Sequence, residues 1–207
     1  MTFSRILRLV IYTSSLLLAS SCYSPSGEGV TTVFEHRDCQ SLSVLSPDKN
    51  REGRVVLRLF TDGELLAADS EMESQILTFH HRKATDTGSV LDLIIYHTIV
   101  CADFRIEASL PFLGVPSGEN LSDYFLVDER SPGYIFGPDK KLIGTIAGCS
   151  LESGELTLPG LIAQKPMMLH QLHLKTKSIA DLPSGIVFSV TVRFEGGRVL
   201  TASSDAL

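Results

Sequence analysis

No stretch of the chain concentrates lysine and arginine. Eighteen basic residues stand against 24 acidic ones, a formal net charge of −6 with a pI of about 5.5. A nucleic-acid binder carries a basic stripe to neutralise phosphates, so this balance argues against nucleic acid as a partner. Catalytic signatures are missing too: there is no G-x-S-x-G elbow, no phosphate-binding glycine loop, no H-E-x-x-H and no paired C-x-x-C. No cofactor is therefore expected. After the amino terminus no apolar run reaches the roughly 20 residues of a membrane-spanning helix. What is present is 43% hydrophobic and 20% charged over 207 residues, with 16 glycines that follow no collagen period. That is too apolar for disorder and is the composition of a single globular domain.

The most specific signal lies in the first 22 residues. Arg5 and Arg8 form a basic start, residues 9–19 are mainly apolar but interrupted by Thr13, Ser14 and Ser15, and Ala19, Ser20 and Ser21 precede Cys22. This is the layout of a cleaved secretory signal peptide. Leu18-Ala19-Ser20-Ser21-Cys22 resembles the lipobox of bacterial lipoproteins, with Ala19 where that family more often has an aliphatic residue. The resemblance implies cleavage before Cys22, a diacylglyceryl group on its thiol and an acylated new amino terminus. Tyr23, in place of aspartate, implies sorting to the outer membrane, with the domain in the periplasm or at the cell surface. Ala19 and Ser21 equally satisfy the rule for ordinary cleavage after Ser21. Removal of residues 1–21 takes away Arg5 and Arg8 and no carboxylate, leaving a formal charge of −8. Residues 22–32, small, polar and containing Gly and Pro, then read as a lipidated cysteine with a flexible tether.

Residues 33–207 read as one β-rich domain. Segments 55–60, 75–79, 90–100, 104–110 and 190–194 carry the β-branched, aromatic or alternating pattern of strands, and 90–100 is apolar enough for a central one. Dense turn signals such as Asp62-Gly63, Gly137-Pro138-Asp139 and Gly196-Gly197 separate them. The expected class is all-β, an antiparallel sandwich or partly closed barrel with room for one short helix, over 64–74 or over 167–177 after Pro166. Residues 56–70 and 190–204 also align without gaps. Val56 matches Val190, Phe60 matches Phe194, Gly63 matches Gly197, Leu66 matches Leu200, Ala68 matches Ala202 and Ser70 matches Ser204. Each reads as a hairpin on a tight primed turn, with Phe60 opposite Leu65, Phe194 opposite Val199 and Glu195 facing Arg198. Similar demands of two hairpins explain the match as well as a duplication does.

Few residues suggest chemistry. His170 and His173 share a face only if they lie on a helix, where a metal would bridge them; on a strand they point to opposite faces, as do His80 and His81. His97, inside the apolar run, reads as a hydrogen-bonded core residue. Once Cys22 is lipidated, Cys39, Cys101 and Cys149 remain, and an oxidising compartment favours one disulfide among them with one thiol left over. The competing reading is three buried, reduced thiols. Residues 123–125 and 134–136 are aromatic and read as core, with a ligand-stacking surface as the alternative. The function that fits is a lipid-anchored binding or structural domain of the envelope, presenting loops 117–123 and 128–133 to a protein, glycan or lipid. The alternative is an envelope hydrolase whose residues meet only in the fold.

Overall fold

The structure is a computed structural model that describes residues 31–83, 91–128, 131, 133–145 and 155–206. Strands dominate, with 47% of the described residues against 12% in helices, and the fold is all-β as the turn-separated strand pattern predicts. The first strand, β1 (Thr31–His36), begins inside the segment expected to act as tether. It is followed by β2 (Ser41–Val44), β3 (Asp48–Lys49), β4 (Val55–Asp62), α1 (Ser70–Lys83) and β5 (Leu91–Ala108). After a short 3-10 turn come β6 (Phe125–Val127), β7 (Tyr134–Phe136), β8 (Leu142–Thr145) and α2 (Leu158–Ala163). The chain ends with β9 (Met167–Leu169), β10 (Gln171–Thr176), β11 (Phe188–Phe194) and β12 (Val199–Ser203).

One large sheet runs β1-β5-β11-β12, with β9 also on β5; the other large sheet runs β2-β4-β10-β6, with β3 also on β4, and β7 pairs with β8 apart from both. Two stretches of chain belong to both sheets. Residues 31–44 pair first with β5, then through Arg37 to Gln40 with 62–65, then with β4. Likewise β9 leaves β5 and passes through His170 directly into β10 on β4. These bends join the sheets into one curled, half-barrel surface. Residues 91–100 are indeed central, but they continue without a break into 104–108 as one strand that ends at Ala108, since no glycine or proline interrupts Val100–Phe104. Pairing is antiparallel throughout except that β1 runs parallel to β5.

The main core fills the concave side. Phe104, Ile106, Phe188, Val190 and Val192 from the first sheet meet Leu57, Leu59, Leu172 and Leu174 from the second, and Leu158 and Leu161 of α2 close one end. Phe112 meets Phe188 edge to face at 5.2 Å. Each such side chain contributes about 1.5–3 kcal/mol by leaving water. A smaller cluster of Met72, Ile76, Tyr96, Phe136 and Met167 lies under α1 on the other face of the first sheet.

Four local expectations need correction. The helix expected over 64–74 begins at Ser70 and absorbs 75–79, which reads as a strand from its β-branched and aromatic residues. Asp69 decides the start: its carboxylate accepts from Met72 N–H at 3.3 Å. Met72 and Ile76 then present one buried face at i, i+4. The helix considered for 167–177 is two strands, with alternating burial along Gln171–Thr176 that suits period 2 and not 3.6. The hairpin expected on Asp62-Gly63 does not form. Residues 62–66 run straight on, with Asp38 N–H donating to the Glu64 carbonyl and Leu66 N–H to His36. A Cβ on Gly63 would sit 1.7 Å from the Asp38 carbonyl oxygen, so this glycine serves a close backbone approach and not a turn. The second hairpin exists, shifted by one residue. Arg193 pairs with Val199, Phe194 N–H donates to Arg198, and a three-residue loop carries Gly196 and Gly197 at φ +89°.

Candidate functional site

Where the two bent strands cross, polar side chains gather on both faces of β5. On the concave side His97 is 1% exposed. Its Nδ1 lies 2.7 Å from the Arg37 carbonyl, which only accepts, so Nδ1 carries the proton. Its Nε2 lies 2.8 Å from the Thr61 hydroxyl, which also faces the Leu169 carbonyl at 2.9 Å. One hydroxyl proton cannot serve both acceptors. With neutral His97 it goes to Nε2; with the imidazolium it goes to Leu169, and the ring donates to Thr61 instead. Burial lowers the His97 pKa, and the neutral ring is the form the folded protein holds. His97 thereby ties together Arg37 on one bent strand and Thr61 on β4, while the Thr61 N–H reaches the other bend at the His170 carbonyl. His170, at that second bend, bonds through Nδ1 to the Thr61 carbonyl at 2.6 Å, and its ring lies 6.1 Å from that of His97. This is the core-histidine reading, and the clamp is its physical content.

On the convex side His36 stacks flat on Tyr96 at 4.9 Å. Its Nδ1 lies 2.6 Å from the Ala67 carbonyl and its Nε2 3.1 Å from the Thr98 hydroxyl. The carbonyl again fixes the proton on Nδ1, leaving Nε2 as the acceptor for Thr98. The Tyr96 hydroxyl donates to Glu73 at 2.8 Å and accepts from Asp69 N–H at 2.9 Å; burial raises its pKa. Lys140 pairs with Asp69 at 2.7 Å and holds that carboxyl below its usual range. At the rim, Arg37 bridges Glu35 at 2.6 Å and Asp62 at 2.8 Å. The Gly63 N–H and then Arg37 keep the Asp62 carboxyl low. Hydroxyl, base and orienting carbonyl in line form the order that activates a nucleophile.

The residues singled out by sequence are scattered. His173 lies on β10, where Gln171 Nε2 stands 2.6 Å from its Nε2, well along the strand from the His170 contacts. The shared helical face that would let His170 and His173 bridge a metal is therefore absent. Among the described residues no three His, Cys, Asp or Glu side chains group as metal ligands. Cys39 and Cys101 are buried free thiols in the main core, and burial pushes them up to about 11 and about 12. Cys149, Cys22 and the side chains of His80 and His81 lie outside the described residues. Phe125, Ile135 and Phe136 are buried, as core packing predicts, whereas Tyr124 is exposed. Loop 117–123 is bonded both within itself and to the end of β5. Asn120 Oδ1 accepts from Ile106 and Ser122, and Ser117 donates to the Ser109 carbonyl. Loop 128–133 is described only in part. Sequence reasoning passed over His36, Thr98 and Thr61. Their partners lie tens of residues away, so no local spacing marks them. Compared with family models, curated proteins and solved structures, the chain matches none of them.

Proposed function

We propose that this protein is a lipid-anchored domain of a bacterial cell envelope, attached through Cys22 and acting as a binding or structural module toward an envelope protein, glycan or lipid. The leader carries this reading: a basic start, a short apolar run, small residues and then Cys22, with only residues 23–30 between that cysteine and β1. Among the described residues no helix is long and apolar enough to cross a membrane. The reading assigns attachment to acyl chains on Cys22, each buried CH₂ contributing about 0.8 kcal/mol. Tyr23 favours the outer membrane as the destination. The test is Cys22→Ala in the native host, with detergent-phase partitioning and intact mass as readouts. Wild type should enter the detergent phase carrying lipid mass on an amino-terminal cysteine, and the variant should do neither. Equal partitioning of both, with no lipid mass, replaces the anchor by ordinary cleavage after Ser21.

The His36–Thr98 pair favours a second reading, an envelope hydrolase. Thr98 Oγ1 would attack an ester carbonyl while His36 Nε2 takes its proton, with the Ala67 carbonyl holding the tautomer. A fluorophosphonate probe should then label Thr98 in wild type and fail in His36→Asn. Absence of labelling in wild type removes this reading and leaves the first.

A further inference from the structure

The end of the first sheet where β1 pairs with the opening residues of β5 has two unlike faces. Neighbouring residues of a strand point to opposite sides. Phe34, Ile94 and Tyr96 turn toward α1 and belong to the smaller apolar cluster. The opposite face carries Val33 beside Leu93 and Glu35 beside Ile95. Neither apolar cluster includes Val33, Leu93 or Ile95. Leu93 is 53% exposed. Leu65, 68% exposed, pairs with Arg37, which bonds Glu35 two residues away and so lies on this same face. The carboxylates next to the patch, Glu35 and Asp62, are both engaged by Arg37. The result is an aliphatic sheet face whose bordering charges are paired.

The chain itself indicates what lies against that face. Thr31 stands at the outer end of this two-stranded ribbon, and eight residues separate it from Cys22. Even fully extended, at about 3.5 Å per residue, that stretch keeps the anchor within roughly 30 Å of Thr31. We infer that the face formed by Val33, Leu93, Ile95 and Leu65 rests on the bilayer surface, which gives the tethered domain a fixed orientation. The inference rests on the lipid-anchor reading of Cys22. Aliphatic side chains gain by leaving water for the boundary between headgroups and acyl chains. The contact needs no anionic lipid, because Arg37 beside the patch already holds two carboxylates and the whole chain is acidic.

The sequence has no tryptophan, so a single introduced indole reports alone. Full-length protein isolated from the host is reconstituted in phosphatidylcholine vesicles as Leu93→Trp and, separately, Leu65→Trp. Leu110→Trp, an exposed position just past the far end of β5, is the control. Tryptophan suits exposed strand positions, and two reporters guard against a misfolded variant. In vesicles the Leu93→Trp and Leu65→Trp emissions should shift to the blue and lose iodide quenching relative to detergent-free protein cleaved of its lipid, while Leu110→Trp stays quenchable. Intact mass on the same samples reads the lipid at Cys22. Lipid mass with all three indoles equally quenched overturns the docked face and leaves the anchor standing. No lipid mass overturns both. A blue shift without vesicles that grows with protein concentration also overturns the inference, since a second copy then covers the face.

Discussion

Residues 56–70 and 190–204 share six identities in register, including the glycine at the centre of each expected turn. Their folds differ. The second reverses direction: β11 and β12 pair across Glu195-Gly196-Gly197, with both glycines at φ +89°. The first passes straight through Asp62-Gly63, pairs with residues 36–44 and then turns its end into the capped start of α1. Aligned residues accordingly do different work. Phe194 is buried, whereas Phe60 is only partly covered. Ser204 is buried and accepts from Phe188 N–H, whereas Ser70 is the exposed first residue of a helix. A glycine-containing dipeptide permits a turn without requiring one. The deciding factor is whether another strand offers the backbone groups a partner that runs straight on. Residues 38–40 do so for the first segment, with Asp38 and Gln40 N–H bonding on either side of Gly63.

The aligned glycines give the sharpest way to separate the two segments. Gly63→Ala places a Cβ into the Asp38 carbonyl, whose backbone cannot move without breaking the bonds on either side. A loss of about 4 kcal/mol in urea denaturation is expected, in the range reserved for severe backbone or packing conflict. Gly197→Ala meets open space and loses only the ease of positive φ, about 1 kcal/mol. Equal losses would erase the distinction.

The next comparison is Thr61 against its counterpart Glu195. Thr61→Val keeps shape but deprives the buried His97 Nε2 of its donor, a loss of about 1–3 kcal/mol. Glu195 makes one exposed ion pair with Lys165, and Glu195→Gln should change stability by about 0.5 kcal/mol or less. The smallest effect is a pH slope. The folded state holds His97 with a lowered pKa, so the unfolded chain binds the extra proton first. Stability from this group is complete above the unfolded value near 6.5 and is lost as pH falls below it. Denaturation midpoints of wild type should decline from pH 7.5 to pH 5.5, and His97→Asn should flatten that decline. Residues 190–204 contain no histidine, so variants confined to them should leave the slope unchanged. Carboxylates held low, such as Asp38 beside Arg198 and Asp62 beside Gly63 N–H, contribute a separate loss in more acid solution.

Much of this architecture was open to sequence reasoning. Alternation and β-branched runs located β4, β5 and β11, and the long apolar run at 90–100 marked the central strand, because a strand covered on both sides must be apolar at nearly every position. The lipobox-like pattern ending at Cys22 is likewise linear, and it supports a proposal without depending on the fold. His97 was identified as core because an imidazole inside such a run has to find bonds within the protein. The hydroxyl and carbonyls it uses could not be foreseen, since Thr61 and Arg37 come from other strands. Residues 75–79 were misread because their β propensity is real but weaker than an Asp69 cap combined with the Met72–Ile76 face. Residues 167–177 stay open between helix and strand in the sequence, because histidines and leucines fit either period over so short a span.

Sequence alone determined the strand-rich class and the central strand, both properties of local pattern. Tertiary structure decided that β1 would run parallel to β5, that Gly63 would pass under Asp38 instead of turning, and that His36, Thr98, His97 and Thr61 would meet where two strands bend between sheets. Each of those outcomes depends on which distant backbone arrives alongside, and hydrogen bonds between strands are indifferent to separation along the chain.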